Sequence, residues 1–438
     1  MTSISLPKGV DTKFLIEGAG VLNELPALLS AVNGGNLPVL LIQDNNTQMA
    51  AGQKLAAILA KAGLPYSELV LKDGPLRIVD ADYERAIEIR EVIKEQKCFP
   101  LAVGSGTIND LVKRAAFELG MPYACVGTAA SVDGYCAFGA ALVHNGFKTT
   151  FDCPAPLAVI ADTELIASAP YNMTASGYAD LYAKLPGGVD WFLADRLGIE
   201  MIHKESWAMV QDELPLWLSG PEKLKEGDPD SLSRLFRGLT MSGCAMQLYK
   251  DSRPAAGAEH LISHIWEMEH LLKDGLPVSH GFKVAMGTVI AASLMEAFYS
   301  LDPEEISVDA CRPFRESWEE RRESIGKHFS DPAVREMIEE PCREKWITDE
   351  EWEARIRRIA QVLPELGAFA RQKLGSVEAV KDNLIQAQCP VSPKDFGIGP
   401  EGIKDAVRKA QMIRKRYTIL DALYETGQLE KILDRLFN

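Results

Sequence analysis

The stretch CFPLAVGSGTINDLVKRAAFELG, from Cys98 to Gly120, decides the fold. It opens as an apolar run ending in Gly104 and Gly106, and it continues with apolar residues at the three-to-four spacing of an amphipathic helix. A buried strand that passes through a glycine turn into a helix is the repeating unit of an α/β layer. The same pattern surrounds it. Upstream, LPVLLIQD (Leu37 to Asp44) reads as a buried strand, NTQMAAGQKLAAILAKAG as a helix, YSELVL as a strand and DYERAIEIREVIKEQK as an exposed helix. Downstream, PYACVGTAAS is a strand entering a loop, and APLAVIAD (Ala155 to Asp162) is the last clear strand. This alternation predicts a parallel, Rossmann-like sheet with covering helices and ligands at the carboxyl ends of its strands. Beyond it the periodicity is helical, with a capping box at Thr348-Asp-Glu-Glu351. The expected organisation is an α/β domain over 1–165 and an all-helical domain over 166–438.

Gly104 and Gly106 allow a phosphate to approach the backbone, and a helix starting near Thr107 offers unpaired N–H groups and a partial positive charge. The third glycine of the dinucleotide fingerprint is missing, so a plain strand-to-helix turn explains the loop as well. Two further strand ends carry polar groups. VGTAASVDG, Val126 to Gly134, offers the hydroxyls of Thr128 and Ser131 and the carboxylate of Asp133. Asp44 stands where an acid accepts hydrogen bonds from an adenosine ribose, and, followed by Asn45-Asn46-Thr47, it also fits a helix N-cap.

Four of the seven histidines lie between His260 and His280. In GAEHLISH, His260 and His264 are one helical turn apart and share a face. The eight cysteines form no Cys-x-x-Cys pair, so a bound metal is expected to take nitrogen and oxygen ligands and the thiols to be reduced. Two imidazoles and a carboxylate with an open position suit a catalytic divalent ion. Spacing alone does not single out Asp180, in TASGYADLYAK, among the acids nearby.

The 438 residues suffice for two domains, and a composition of 47% hydrophobic and 25% charged residues is that of a globular protein. A net charge of −15 opposes nucleic-acid or anionic-membrane binding and leaves a small anionic substrate open. No apolar run reaches the ~18 residues of a membrane span, and the N-terminal residues lack a signal-peptide pattern, so a cytoplasmic location is expected.

GSGTINDLVK, GTAASVDGY, VIADTELIASAP, SGYADLYAKLPGGVDWFLAD, GAEHLISHIWEM and SHGFKVAMGT together resemble the sn-glycerol-1-phosphate dehydrogenases. More narrowly, they are similar to the bacterial AraM-like branch of the iron-containing alcohol dehydrogenase and dehydroquinate synthase superfamily. The resemblance runs in order from about residue 10 to RYTILDALYETG near the end of the chain. It implies Asp180, His260 and His280 as ligands of one divalent metal, zinc or nickel, with iron acceptable. It implies Asp133 and His264 as catalytic, substrate-facing residues. The nicotinamide dinucleotide contacts it implies are Asp44, Gly104, Gly106, Thr107, Ile108, Asn109, Asp110, Thr128, Ala129, Ala130 and Ser131. Ser105 replaces a glycine found in many relatives, Ala137 a small hydroxyl residue, and His280-Gly-Phe-Lys283 departs from the archaeal His-Gly-Glu-Gln.

The expected function is a metal-dependent dehydrogenase interconverting dihydroxyacetone phosphate and sn-glycerol 1-phosphate, using NAD(H) ahead of NADP(H), and homodimeric as the family suggests. The alternatives are a polyol dehydrogenase with an unphosphorylated substrate, a dehydroquinate-synthase-like cyclase, and a non-enzymatic NAD-binding regulator. An anionic substrate asks for a cation, and Lys148 and Lys184 are the candidates.

Overall fold

The computed structural model describes residues 4–76, 78–144 and 147–438, without the side chains of residues 147 and 148. The chain divides into two compact units. The first holds Met1–Leu181, Glu205–Ser252 and Asp274–Gly281; the second holds Tyr182–Lys204, Arg253–Lys273 and Phe282–Asn438.

The first unit is built on a six-stranded sheet. Its strands are β1 (Phe14–Gly18), β2 (Val39–Asp44), β3 (Tyr66–Leu71), β4 (Phe99–Gly104), β5 (Ala124–Gly127) and, after a hairpin of β6 (Ala140–His144) and β7 (Phe147–Phe151), β8 (Ala158–Asp162). The order is β1-β8-β5-β4-β2-β3, and every pairing is parallel. The interior strands are buried on both faces, which is why their sequences read as continuous apolar runs without alternation. The edge strand β3 shows partial alternation.

Register fixes where function can gather. Gly104 pairs with Gly127, Gly18 with Asp162, and Asp44 with Leu71, so these carboxyl ends lie along one edge of the sheet. From β2 the chain moves to β3 on one side and then to β4 on the other. The carboxyl ends of β2 and β4, Asp44 and Gly104, therefore flank a switch point, where a parallel sheet opens a crevice for a ligand. Helix Gly106–Glu118 seals the sheet with Ile108, Leu111, Val112, Ala115 and Ala116, one apolar stripe.

Several elements differ from the sequence reading. Strand β1 and the β6–β7 hairpin add to the strands expected. The helix expected after Asp44 is a short turn, Asn45–Thr47, then a π-helical turn, Gln48–Gly52, then Gln53–Lys61. A Cβ on Gly52 would lie 1.9 Å from Gln43 Oε1, so the buried Gln43 carboxamide occupies space that only a glycine leaves. Beyond β8 the chain is helical except for the two-residue strands Leu272–Lys273 and Leu276–Pro277. The capping box appears as expected, with Thr348 and Glu351 opening the helix Asp349–Leu374. Against the expectation of no apolar run of that length, helix His280–Tyr299 is long and apolar enough to cross a membrane; it is mostly buried, as a core helix is.

In the second unit, helices Lys184–Arg196, Ala258–Met268 and Asp349–Leu374 contribute large apolar faces. Gly287 lies against the Ala258–Met268 helix so closely that a Cβ would come 2.3 Å from the Glu259 carbonyl oxygen.

Candidate active site

At the switch point, Asp44 Oδ1 accepts the Thr47 N–H at 2.7 Å, and the Thr47 hydroxyl accepts the Asp44 N–H at 3.0 Å, a reciprocal cap. The capping role read from Asn45-Asn46-Thr47 is thus present, and Asp44 still ends its strand at the crevice. Gly104 is required by packing, because a Cβ there would lie 2.6 Å from that of Ile108. Ser105 occupies the N-cap of the Gly106–Glu118 helix without capping it through its side chain. The backbone donors of Gly106, Thr107 and Ile108 are therefore left without a side-chain partner from the cap, the arrangement that suits an anionic ligand.

Asn109 and Asp110 have other duties. Asn109 Nδ2 donates to the carbonyls of Gly134 (3.1 Å) and Tyr135 (3.4 Å), and its Oδ1 accepts the Tyr123 hydroxyl at 3.1 Å. Asp110 Oδ2 accepts the Ala141 N–H at 3.1 Å, while Oδ1 meets Lys113 Nζ at 3.0 Å. These side chains pin the turn after Asp133. The Thr128–Ser131 turn is held in a similar way. Tyr135 donates its hydroxyl to the Ala129 carbonyl at 2.6 Å, and the Ala130 carbonyl oxygen sits 1.9 Å from where a Cβ on Gly177 would be. Gly177 lies in helix Tyr171–Tyr182, so the same helix that carries Asp180 buttresses this turn.

Asp180 is fully buried, and its Oδ2 accepts the Asp133 N–H at 2.9 Å. Asp133 Oδ2 in turn accepts the Ser242 hydroxyl at 3.1 Å. His280 opens its helix beside Gly281, whose N–H donates to Ser176 Oγ at 3.2 Å and whose missing Cβ would stand 1.9 Å from the Ser176 carbonyl oxygen. Ser176 is one turn from Asp180, so this close approach brings His280 to the acid. His260, buried, places Nδ1 2.8 Å from Glu259 Oε1. One ligand atom from each of Asp180, His260 and His280 lies within 4.8 Å of the others. Donors about 2.1 Å from a tetrahedral ion stand roughly 3.4 Å apart, so one carboxylate and two imidazoles so spaced fit a divalent cation with little movement. His264 is half-buried one turn along, its ring centroid 6.3 Å from that of His260. Lys184 is wholly buried, and the Lys148 side chain lies outside the described ones. Sequence reasoning passed over Lys113, Ser176, Ser242 and Glu259; only Glu259 carried a signal, its place beside a histidine of the cluster.

Residues 16–170 match the model of the iron-containing alcohol dehydrogenases. Solved structures share the fold over nearly the whole chain. A glycerol dehydrogenase from Schizosaccharomyces pombe superposes with a TM-score of 0.60 at 13% identity, covering 99% of this chain and 93% of that one. A sulfoacetaldehyde reductase from Bifidobacterium kashiwanohense, in complex with NAD+, gives 0.60 at 15%, covering 97% and 98%. The sheet, its switch point and the helical remainder thus define an iron-containing alcohol dehydrogenase fold. Two relatives narrow it. The glycerol-1-phosphate dehydrogenase [NAD(P)+] of Halalkalibacterium halodurans is 34% identical over 63% of this chain and 69% of its own length. That of Bacillus velezensis is 32% identical over 95% and 92%. The chain belongs to the glycerol-1-phosphate dehydrogenase family.

Proposed function

We propose that the protein is a metal-dependent, nicotinamide-linked dehydrogenase that interconverts dihydroxyacetone phosphate and sn-glycerol 1-phosphate. The observation that carries this reading is the convergence of Asp180, His260 and His280 to within 4.8 Å, in a chain of this family. Asp180, His260 and His280 hold one divalent ion, zinc or nickel with iron acceptable, since an oxygen and two nitrogens accept all three. Such an ion would supply Lewis acidity for the substrate's reacting oxygen, and a bound nicotinamide dinucleotide would supply the redox chemistry.

The chain's own residues orient the reactants. The N–H groups opening the Gly106–Glu118 helix and the Thr128–Ser131 turn receive the dinucleotide phosphates, and Asp44 receives the ribose, favouring NAD(H). Asp133 faces the substrate, steadied by Ser242 and tied through its N–H to Asp180. His264 holds a substrate hydroxyl or relays its proton. Lys184 is the candidate partner of the substrate phosphate. The working protein is a cytoplasmic homodimer that feeds phospholipid synthesis.

The test is a panel of phosphorylated and free trioses and polyols followed by NADH absorbance, on protein of measured metal content. Reduction of dihydroxyacetone phosphate with net NADH consumption is expected, and His280→Ala should lose metal and nearly all activity while still folding. Equal use of free dihydroxyacetone points instead to a polyol dehydrogenase, turnover without net NADH consumption to a cyclase, and a fully active, metal-free His280→Ala protein overturns the metal centre.

A further inference from the structure

Of the two clustered histidines, only His260 has a carboxylate beside it in sequence, and that of the preceding Glu259 contacts its ring. Neighbours on a helix normally diverge. Glu259 reaches its partner because it sits in the first turn of Ala258–Met268 and folds back, so that Oε1 accepts the Gly257 N–H at 2.6 Å and meets His260 Nδ1 at 2.8 Å. A carboxylate only accepts, so the ring carries its proton on Nδ1 and its lone pair on Nε2.

The surroundings are built for this arrangement. Glu259 is fully buried, and its Oε2 has no hydrogen-bond partner among the described residues. An anion in the first turn is favoured by the helix dipole, which compensates part of its burial. Gly257 makes the room, since a Cβ there would lie 2.6 Å from Asp190 Oδ2 and 2.8 Å from Glu259 Oε2. Asp190 then fixes the start of the helix. Its Oδ2 accepts the Ala258 N–H and its Oδ1 the Ile419 N–H, each at 2.7 Å, so one carboxylate ties together the first residues of two helices. Arg416 Nη1 adds a bond to the Ala256 carbonyl at 2.8 Å. The RYTILDALYETG segment thereby supports the helix that presents His260.

We propose that Glu259 is a positioning residue for the metal centre: its carboxylate holds His260 in the Nδ1–H tautomer, leaving Nε2 as the ligand atom. The inference rests on the metal reading above. Outer-sphere partners of this kind are worth about 10–100-fold in metal affinity.

The experiment is metal affinity, measured by competition with a chromogenic zinc chelator, for wild type, Glu259→Gln and Glu259→Leu, each checked for folding by circular dichroism. Gln retains an acceptor for Nδ1–H, and Leu keeps the bulk without one. We expect Glu259→Leu to bind zinc about 10–100-fold more weakly and Glu259→Gln to recover most of that loss, about tenfold or less from wild type. Wild-type affinity in Glu259→Leu, or equal weakening in both variants, overturns the role of the hydrogen bond. Should Glu259→Leu fail to fold, Glu259→Gln decides through the cobalt-substituted protein: a d–d spectrum of wild-type form supports the proposal, and a lost one overturns it. Wild-type protein that binds no zinc defeats the metal centre itself, an outcome distinct from all of these.

Discussion

Replacing Lys113 by Met tests whether the turn after Asp133 is held in place by one buried ammonium. The Lys113 side chain is 0% exposed, and Nζ lies 3.0 Å from Asp110 Oδ1, 3.2 Å from the Gly134 carbonyl, 3.1 Å from that of Ala137 and 2.9 Å from that of Gly139. Met nearly conserves the volume and deletes all four bonds. Asp110 keeps its bond from the Ala141 N–H but loses its cation, the carbonyls of Ala137 and Gly139 lose the Lys113 donor, and that of Gly134 keeps only Asn109 Nδ2 among its side-chain donors. Removing one partner of a buried ion pair costs about 3–5 kcal/mol, and because the four bonds share one donor they do not add beyond that range by much. For a unit of this size about 4 kcal/mol lowers the thermal midpoint by roughly 8–16 °C. The assay is differential scanning calorimetry together with hydrogen exchange of the peptides covering 133–141, whose amides should exchange faster in Lys113→Met. Because Asp133 opens this turn, KM for the triose phosphate should rise more than the dissociation constant for the dinucleotide. A midpoint within about 2 °C of wild type with unchanged exchange would refute the clamp.

Two further perturbations separate roles that overlap at one residue. Asp44→Ser should narrow the preference for NAD(H) over NADP(H), because a carboxylate repels a 2′-phosphate; serine still caps a helix, so an unchanged cofactor ratio measured by steady-state kinetics assigns Asp44 to the cap alone. Burial first, and the neighbouring Glu259 carboxylate second, push the Asp190 carboxyl up to about 7. An acid raised in the folded state stabilises most below its unfolded pKa of about 3.9 and loses that contribution as pH rises towards 7, by at most ~1.4 kcal/mol per pH unit. The gap in thermal midpoint between wild type and Asp190→Asn should therefore shrink from pH 5 to pH 8, and a gap independent of pH contradicts this.

Much of the α/β layer was legible because a parallel sheet buries its interior strands on both faces, so β2, β4, β5 and β8 announce themselves as apolar runs. Strand β1 was not. Its five residues, FLIEG, end in an acid and a glycine and follow Lys13, a pattern too short and too polar to separate from a loop without its partner, β8. The sheet order is a tertiary fact as well, since nothing local says that β1 pairs with β8 rather than with β2. The π turn at Gln48–Gly52 depends on a buried Gln43 from the preceding strand, which helical periodicity cannot see.

The site divides along the same line between local and distant causes. A His-x-x-x-His pair shares a helix face by geometry alone, so His260 and His264 were visible as a pair, whereas Asp180 reaches the cluster only because Gly281 lets two backbones meet at Ser176. Asn109 and Asp110 show what local reasoning leaves out. Polar residues in the first turn after a glycine loop look like ligand contacts, yet here their side chains, with Lys113 one turn on, are consumed in holding the loop that carries Asp133. A lysine in an amphipathic helix is ordinarily read as solvated, and only a buried carbonyl-rich turn reverses that. The residues that bind and the residues that position the binders are of the same polar types, and what tells them apart is the direction of their hydrogen bonds. Donors and acceptors turned inward, as in Lys113, Asn109 and Glu259, set the rigidity of the site. Those left open at the sheet edge, such as the N–H groups of the Gly106–Glu118 helix, are the ones available to a ligand.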